Sequence, residues 1–347
     1  MDIRLAANLL TDRVAALPLA ILYVTDRCNS RCVTCDYWKY GQTHFPVEQA
    51  ARLASELRAL GTQAVLLSGG EPLLHPHWAG IAATLREASL RLWLLTAGLS
   101  LQKHAAHAAG LCERITVSLD GATPETYRAI RGVDAFAAVG AGVRAVVGRG
   151  PQVSLRCTVQ RGNYRELPAL VRLARELGVA QISFLAVDVS THVAFARLED
   201  YERTMALRPE DLPAFAEVLD ALERDFAHEF TSGFIAESPA KLRRLHQYFA
   251  ALLGQAKFPL VRCNAPRFSA VIGADGHLQP CYFIPGVGQW DGQSLAAALN
   301  APEFVALRRD IREGKRGECE RCVCSMHRGP RALLASDFPP KGPMGDD

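Results

Sequence analysis

Three cysteines stand close together near the start of the chain, in the stretch TDRCNSRCVTCDYWK at residues 25–39. Cys28, Cys32 and Cys35 are separated by three and then by two residues, and no histidine or fourth cysteine lies within eight residues of them. Structural zinc sites use four protein ligands, and a four-iron cluster usually has one cysteine for each iron. Three thiolates therefore indicate either an incomplete metal site or a cluster with one iron reserved for a ligand other than protein.

A glycine-rich turn is the second candidate for binding chemistry, in the sequence SGGEPLLHP at residues 68–76. It follows an apolar run at 63–68 that predicts a strand. Glycines at the carboxyl end of a strand let a ligand approach the backbone, and the Glu71 carboxylate suits an ammonium group. Because the carboxyl ends of parallel strands meet at one edge of a sheet, we expect this turn and the cysteine loop at 28–35 to be neighbours.

Short apolar runs alternate with helical patterns through the first half of the chain. Six runs predict strands, at residues 19–25, 63–68, 91–96, 114–120, 152–160 and 180–186. Between them, apolar residues at helical spacing predict helices, two of which stop at Gly61 and at Gly178. Such β–α units predict parallel strands with right-handed crossovers, in either an open doubly wound sheet or a partial barrel.

Composition excludes several classes of protein. The chain has 347 residues, 49% of them hydrophobic, a net charge of +3, and no basic stripe with interleaved aromatic residues. We therefore expect sizeable cores and no binding of nucleic acid. The apolar run at 15–24 is too short to span a bilayer and lacks a cleavage pattern, so we expect no membrane segment. Ten cysteines without an export signal indicate a reduced, cytoplasmic metal-binding protein.

Both motifs resemble those of the radical S-adenosylmethionine (SAM) superfamily. Cys28, Cys32 and Cys35 match its cluster motif, and the stretch ITVSLDGATPETYRAIRG at 115–132 matches the region of its fourth strand. Its GGEP motif is matched by Ser68, Gly69, Gly70, Glu71 and Pro72. The resemblance spans roughly residues 19–190 and implies an α/β fold with a partial (β/α)6 TIM-like barrel, in which the GGEP residues contact SAM.

The resemblance also implies a radical mechanism and its cofactors. In that family the three cysteines hold a 4Fe–4S cluster whose fourth iron binds SAM. An electron from the cluster cleaves SAM to a 5′-deoxyadenosyl radical, which abstracts hydrogen from the substrate. We therefore expect SAM, this cluster, and an electron donor such as a flavodoxin or ferredoxin. Thr34 departs from the motif, because relatives usually have an aromatic residue before the third cysteine.

Alternation along the predicted strands selects further candidate contacts for SAM. In RITVSLDG, Ser118 and Asp120 lie on the polar face, which a barrel covered by helices turns inward. The resemblance implies that Ser118 binds SAM, and Thr96 is a similar candidate. By the same phase Arg156 points inward on the fifth strand, where a carboxylate of SAM or of the substrate would be its partner.

Five more cysteines form a separate group near the C-terminus. Cys263 and Cys281 fit the arrangement C-x12-G-x4-C, and the sequence CERCVC follows with Cys319, Cys322 and Cys324. The group resembles the shortened SPASM, or twitch, domain, which holds one auxiliary 4Fe–4S cluster. The resemblance implies that all but Cys324 are ligands, with Cys324 left over or replacing Cys322. A structural zinc ribbon is the alternative, since paired cysteines separated by a loop also bind zinc.

These patterns divide the chain into four segments. Residues 1–18 lead into a radical SAM partial barrel at 19–230, and a small Cys-rich twitch/SPASM-like domain occupies 231–330. Turn-rich sequences such as GADGH and IPGVG replace the regular strand–helix alternation there. The segment 331–347 is rich in proline and glycine, and we expect it to be disordered.

The expected activity is that of a radical SAM oxidoreductase that oxidises a small molecule, such as a sugar or an aminocyclitol, with the auxiliary cluster accepting an electron. A peptide-modifying SPASM maturase and an epimerase are the alternatives. An epimerase needs a hydrogen donor, usually a thiol. Cys157 falls on the apolar phase of its strand and Cys112 precedes the fourth strand, so we predict that both are structural. Cys324 is then the candidate donor.

Overall fold

A computed structural model of the chain describes residues 3–189, 195, 202–324 and 326–327. The tail at 331–347, which the sequence predicts to be disordered, lies outside these residues. Within the described part of the chain, no helix combines the length and the apolar character needed to cross a bilayer.

Six parallel strands form the centre of the fold. They are β1 (Leu19–Thr25), β2 (Ala64–Gly69), β3 (Arg91–Thr96), β4 (Arg114–Ser118), β5 (Gln152–Val159) and β6 (Gln181–Ala186). Each strand pairs in parallel with the next one in chain order. An open doubly wound sheet would reverse its strand order at a switch point, whereas this order runs in one direction. The fold is therefore α/β with a partial TIM-like barrel, as predicted.

The described residues form α-helices, most of which lie between the strands in chain order. They are α1 (Ile3–Leu10), α2 (Tyr37–Tyr40), α3 (Ala50–Ala59), α4 (Trp78–Glu87), α5 (Ala105–Leu111), α6 (Pro124–Arg131), α7 (Phe136–Val146), α8 (Leu167–Glu176), α9 (Glu202–Met205), α10 (Asp211–Asp225), α11 (Ala227–Thr231), α12 (Pro239–Leu252), α13 (Leu295–Leu299), α14 (Pro302–Arg312) and α15 (Gly317–Glu320). The two helices predicted from their spacing are confirmed as α3 and α8. Both bury residues at i, i+3, i+4 and i+7, counted from Ala50 in α3 and from Leu167 in α8.

The strands turn their apolar phase toward the helices and their polar phase inward. Val117 of β4 and Leu155 and Cys157 of β5 are fully buried in the main hydrophobic core. On the other phase, Thr116 Oγ1 lies 3.0 Å from Ser154 Oγ across the two strands. The predicted alternation is therefore confirmed, and with it the position of Cys157 in the core.

The C-terminal region extends the barrel sheet. Strand β7 (Ser269–Ile272) pairs in parallel with β1. Strand β8 (His277–Gln279) pairs antiparallel with β7, and β9 (Gly288–Gln289) pairs antiparallel with β8. Trp290 and Phe304 belong to the same hydrophobic core as the barrel strands. The sequence predicts a second, smaller domain here, but strands of four, three and two residues are too short to show their pairing in a sequence pattern.

Candidate active site

The three-cysteine loop follows β1 and is held by the end of α6. The Arg31 N–H donates to the Arg131 carbonyl at 2.9 Å, and the Val33 N–H donates to the Ile130 carbonyl at 2.9 Å. Within the loop, the Cys35 N–H donates to the Cys32 carbonyl at 3.3 Å. The backbone of the loop is thus fixed by the protein itself.

The thiols of this loop suit an iron–sulfur cluster. All three are free and half-buried, and a pocket of about 530 Å³ opens beside Cys28. Burial raises the pKa of Cys28 to about 12 and also raises the pKa of Cys32, because a thiolate loses its hydration there. Metal ions bound to the sulfurs would compensate this cost. The donor set therefore fits a cluster held by Cys28, Cys32 and Cys35.

The glycine turn after β2 is a direct neighbour of the cysteine loop. The Gly70 N–H donates to the Thr25 carbonyl at 2.8 Å, and the Glu71 N–H donates to the Arg27 carbonyl at 2.7 Å. The predicted adjacency of the two motifs is confirmed. Gly69 has a φ of +121°, and a Cβ at Gly69 would overlap the Thr25 carbonyl oxygen. The glycines are therefore needed for the close approach of the cysteine loop, a reason that differs from the ligand approach expected from the sequence.

The Glu71 carboxylate is fixed inside the protein. Its side chain is fully buried, with 0% of the residue exposed. Oε1 accepts hydrogen bonds from the Leu73 N–H at 3.1 Å and from the Thr96 hydroxyl at 2.7 Å, and Oε2 accepts one from the Ala97 N–H at 2.6 Å. Burial raises the pKa of Glu71, and these donors oppose the rise. Thr96 donates its hydroxyl hydrogen to Glu71, so a direct contact between Thr96 and SAM stays a prediction.

Asp120 is bound to the protein on both carboxylate oxygens. Its Oδ2 lies 2.7 Å from Arg131 Nε, and its Oδ1 accepts a hydrogen bond from the Thr158 N–H at 2.7 Å. The Arg131 Nη1–H in turn donates to the Cys32 sulfur at 3.6 Å. Sequence reasoning missed Arg131, because nothing in the string RAIRG distinguishes it from Arg128 in the same helix.

The five C-terminal cysteines are brought together. Burial raises the pKa of Cys281 to about 12 and that of Cys319 to about 11, and the neighbouring Cys263 thiol adds to both shifts. The Cys324 N–H donates to the Cys322 sulfur at 3.4 Å. Among the described residues, no three His, Cys, Asp or Glu side chains converge on a single ion. In a four-iron cluster each cysteine binds a different iron, so the cysteine sulfurs need not surround a single ion.

Two family comparisons match the regions that contain these cysteines. Residues 22–174 match the radical SAM superfamily, and residues 263–323 match the SPASM iron–sulfur cluster-binding domain. The chain belongs to the radical SAM superfamily and has a C-terminal SPASM domain. Its cofactors are accordingly SAM, the 4Fe–4S cluster of radical SAM proteins and the auxiliary iron–sulfur cluster of SPASM domains.

Curated relatives resemble this radical SAM protein over part of their length. Fe-coproporphyrin III synthase of Methanosarcina barkeri is 30% identical over 190 residues, which are 52% of this chain and 47% of that protein. GTP 3′,8-cyclase 1 of Mycobacterium tuberculosis is 34% identical over 194 residues, which are 51% of this chain and 54% of that protein. The chain thus spans about half the length of these relatives.

Solved structures share the fold across both regions. SuiB of Streptococcus suis, bound to the precursor peptide SuiA, superposes with a TM-score of 0.64 at 14% identity, covering 92% of this chain and 74% of SuiB. The structure of anSMEcpe bound to AdoMet and the Kp18Cys peptide gives a TM-score of 0.63 at 17% identity, covering 88% of this chain and 89% of anSMEcpe. At such low identity the likeness shows the fold alone.

An aromatic group joins the barrel to the SPASM domain. The ring of Tyr282 stacks on Tyr23 of β1 at 6.3 Å and 27°, and Tyr37 meets Tyr23 edge-on at 6.2 Å. Burial raises the pKa of Tyr23, and the charges of Tyr37, Tyr282, Cys35 and Cys281 add to the rise. Tyr23 therefore lies within electrostatic reach of a cysteine from each of the two groups.

Polar side chains face one another inside the barrel near Tyr282. Ser118, Arg156 and Ser183 are neighbours on β4, β5 and β6. Arg156 also lies close enough to the Tyr282 phenol to lower its pKa, although burial raises that pKa overall. Arg156 Nε is buried and has no hydrogen-bond partner among the described residues. The predicted inward direction of Ser118 and Arg156 agrees with this arrangement.

Proposed function

We propose that this radical SAM protein oxidises a small molecule and uses its SPASM domain as an electron acceptor. The observation that supports this most is the stack of Tyr282 on Tyr23, which brings the loop of Cys281 to the carboxyl end of β1, next to the three-cysteine loop. When bound, SAM and the two clusters supply a radical that abstracts hydrogen and an acceptor for an electron. The side chains of the protein bind and position these groups and the substrate.

Several side chains are proposed to bind the N-terminal cluster and SAM. We assign Cys28, Cys32 and Cys35 to the N-terminal cluster, and the buried Glu71 network fixes the turn that borders it. Ser68, Gly69, Gly70, Pro72 and Ser118 are the further proposed contacts of SAM. Arg156 supplies a buried N–H donor and a positive charge, which together suit a carboxylate.

The auxiliary cluster is assigned to four of the five C-terminal cysteines. Cys263, Cys281, Cys319 and Cys322 are half-buried, whereas Cys324 is exposed. A buried thiolate gains more from bound metal than an exposed one, because water already stabilises the exposed thiolate. This difference favours Cys322 over Cys324 as the fourth ligand.

The names of two relatives favour a small molecule as the substrate. The two curated relatives described above are named for Fe-coproporphyrin III and for GTP, which are small molecules. A peptide is the alternative substrate, since SuiB and anSMEcpe were solved with bound peptides and share the fold. An electron carrier such as a flavodoxin or ferredoxin completes the proposed set of partners.

Turnover in deuterated water distinguishes oxidation from epimerisation. The substrate would first be found by screening small molecules and peptides for stimulated formation of 5′-deoxyadenosine. We expect no solvent deuterium at carbon in the product, because Cys112 and Cys157 belong to the hydrophobic core and offer no hydrogen atom to a bound substrate. Cys112→Ala and Cys157→Ala are the matched controls and should keep activity. Deuterium at one inverted carbon, lost in Cys324→Ala, would instead identify an epimerase.

A further inference from the structure

We propose that Arg131 is a positioning residue that raises the reduction potential of the N-terminal cluster through its hydrogen bond to Cys32. The inference rests on the proposed assignment of Cys32 as a cluster ligand. It concerns the arginine, its partner Asp120 and the Cys32 sulfur that the arginine contacts.

The position of Arg131 is fixed from several sides. Its carbonyl accepts from the Arg31 N–H, so the end of α6 and the cysteine loop move together. Gly132 follows with a φ of +70°, where a Cβ would overlap the Arg31 carbonyl oxygen. The guanidinium is held at 2.7 Å by Asp120, whose other oxygen is bonded to the Thr158 N–H. The Nη1–H is thereby aimed at the Cys32 sulfur at 3.6 Å.

The ion pair between Arg131 and Asp120 is buried, so water screens its charges only weakly. The side chains of Arg131 and Asp120 are 11% and 3% exposed. Removing two charges from water is costly, and a well-packed apolar pair of the same volume is often as stable. The ion pair is therefore poorly explained by stability alone. Its contact with a ligand sulfur gives it a different role.

Reduction places an additional negative charge on the iron and sulfur atoms of a cluster. An N–H donor and a positive charge beside a ligand sulfur stabilise that charge, and hydrogen bonds to sulfur together with net charge are known to set cluster potentials. Asp120 acts in the opposite sense, because its negative charge partly offsets that of Arg131. The two residues therefore have opposite predicted effects on the potential.

Two substitutions in the full-length, anaerobically reconstituted protein test this pair. Arg131→Met removes the positive charge and the donor, and we expect a shift of the midpoint potential to more negative values. Asp120→Asn leaves Arg131 without its negative partner, and we expect a shift to more positive values. Arg128→Met, an exposed arginine three residues earlier in α6, is the matched control and should leave the potential unchanged.

The potential is read by electron paramagnetic resonance (EPR) during stepwise reduction, using the signal that changes when SAM is added, because SAM selects the N-terminal cluster. Iron content is measured in each variant. If Arg131→Met loses iron, Arg131→Lys keeps the charge and should show a smaller negative shift. Unchanged potentials in iron-replete variants, or shifts of the same sign for Arg131 and Asp120, would overturn the proposal. No substrate is needed, so failure of the proposed oxidation would not affect the result.

Discussion

Replacing Cys28, Cys32 and Cys35 together with alanine is expected to abolish reductive cleavage of SAM and to remove about half of the bound iron. The wild-type protein should hold about eight irons and eight sulfides, the content of two four-iron clusters. The triple variant keeps all five C-terminal cysteines, so it should stay brown and retain about four irons. Iron, sulfide and 5′-deoxyadenosine formed under dithionite are the quantities to measure.

A double variant, Cys112→Ala with Cys157→Ala, is the control for loss of cysteines as such. Both residues belong to the hydrophobic core, so the double variant should keep the full iron content and the cleavage of SAM. Cleavage that survives in the triple variant would contradict the assignment of the N-terminal loop. One zinc and no residual iron in the triple variant would favour the zinc ribbon for the C-terminal cysteines.

Gly70→Ala is expected to destabilise the protein strongly and to impair assembly of the N-terminal cluster. A Cβ at this position would overlap the Arg27 carbonyl oxygen and lie 2.5 Å from that of Asp26. Both obstacles are backbone atoms of the segment that leads into the cysteine loop, so relief requires that this segment move. Forced overpacking of this kind costs about 3 kcal/mol of the free energy of unfolding.

Gly80→Ala is the matched control for this substitution. Gly80 lies in α4, and a Cβ there would meet no atom within 4 Å other than those of its chain neighbours and of the helix backbone. Because alanine is the better helix former, this variant should gain up to about 1 kcal/mol. Urea unfolding and iron content after reconstitution compare the two. Equal stability and equal iron in both variants would show that the cysteine loop does not need its close contact with the turn.

The sequence carries most of the information about the barrel. The six strands are long enough for alternation to show both their position and their phase, and each predicted strand is found within a few residues of its expected bounds. Because parallel strands in sequential order meet at one edge, the adjacency of the cysteine loop and the glycine turn follows from the order of elements alone. This adjacency is the basis of the candidate site.

The partners of individual side chains were beyond the reach of the sequence. Arg131 and Cys32 are 99 positions apart, and Glu71 and Thr96 are 25 apart, so no local pattern links them. Tyr282 reaches Tyr23 because β7 adds to the barrel sheet. The C-terminal strands have only two to four residues, so the sequence pattern does not predict this pairing. Alternation predicts which way a side chain points, while its partner depends on tertiary packing.

The most direct test of radical SAM chemistry in this protein is the stoichiometry of SAM cleavage by the full-length, anaerobically reconstituted protein without substrate. With dithionite as electron source, we expect equal amounts of 5′-deoxyadenosine and methionine, formed only when iron is bound. A protein that holds about eight irons and forms no 5′-deoxyadenosine would contradict this expectation.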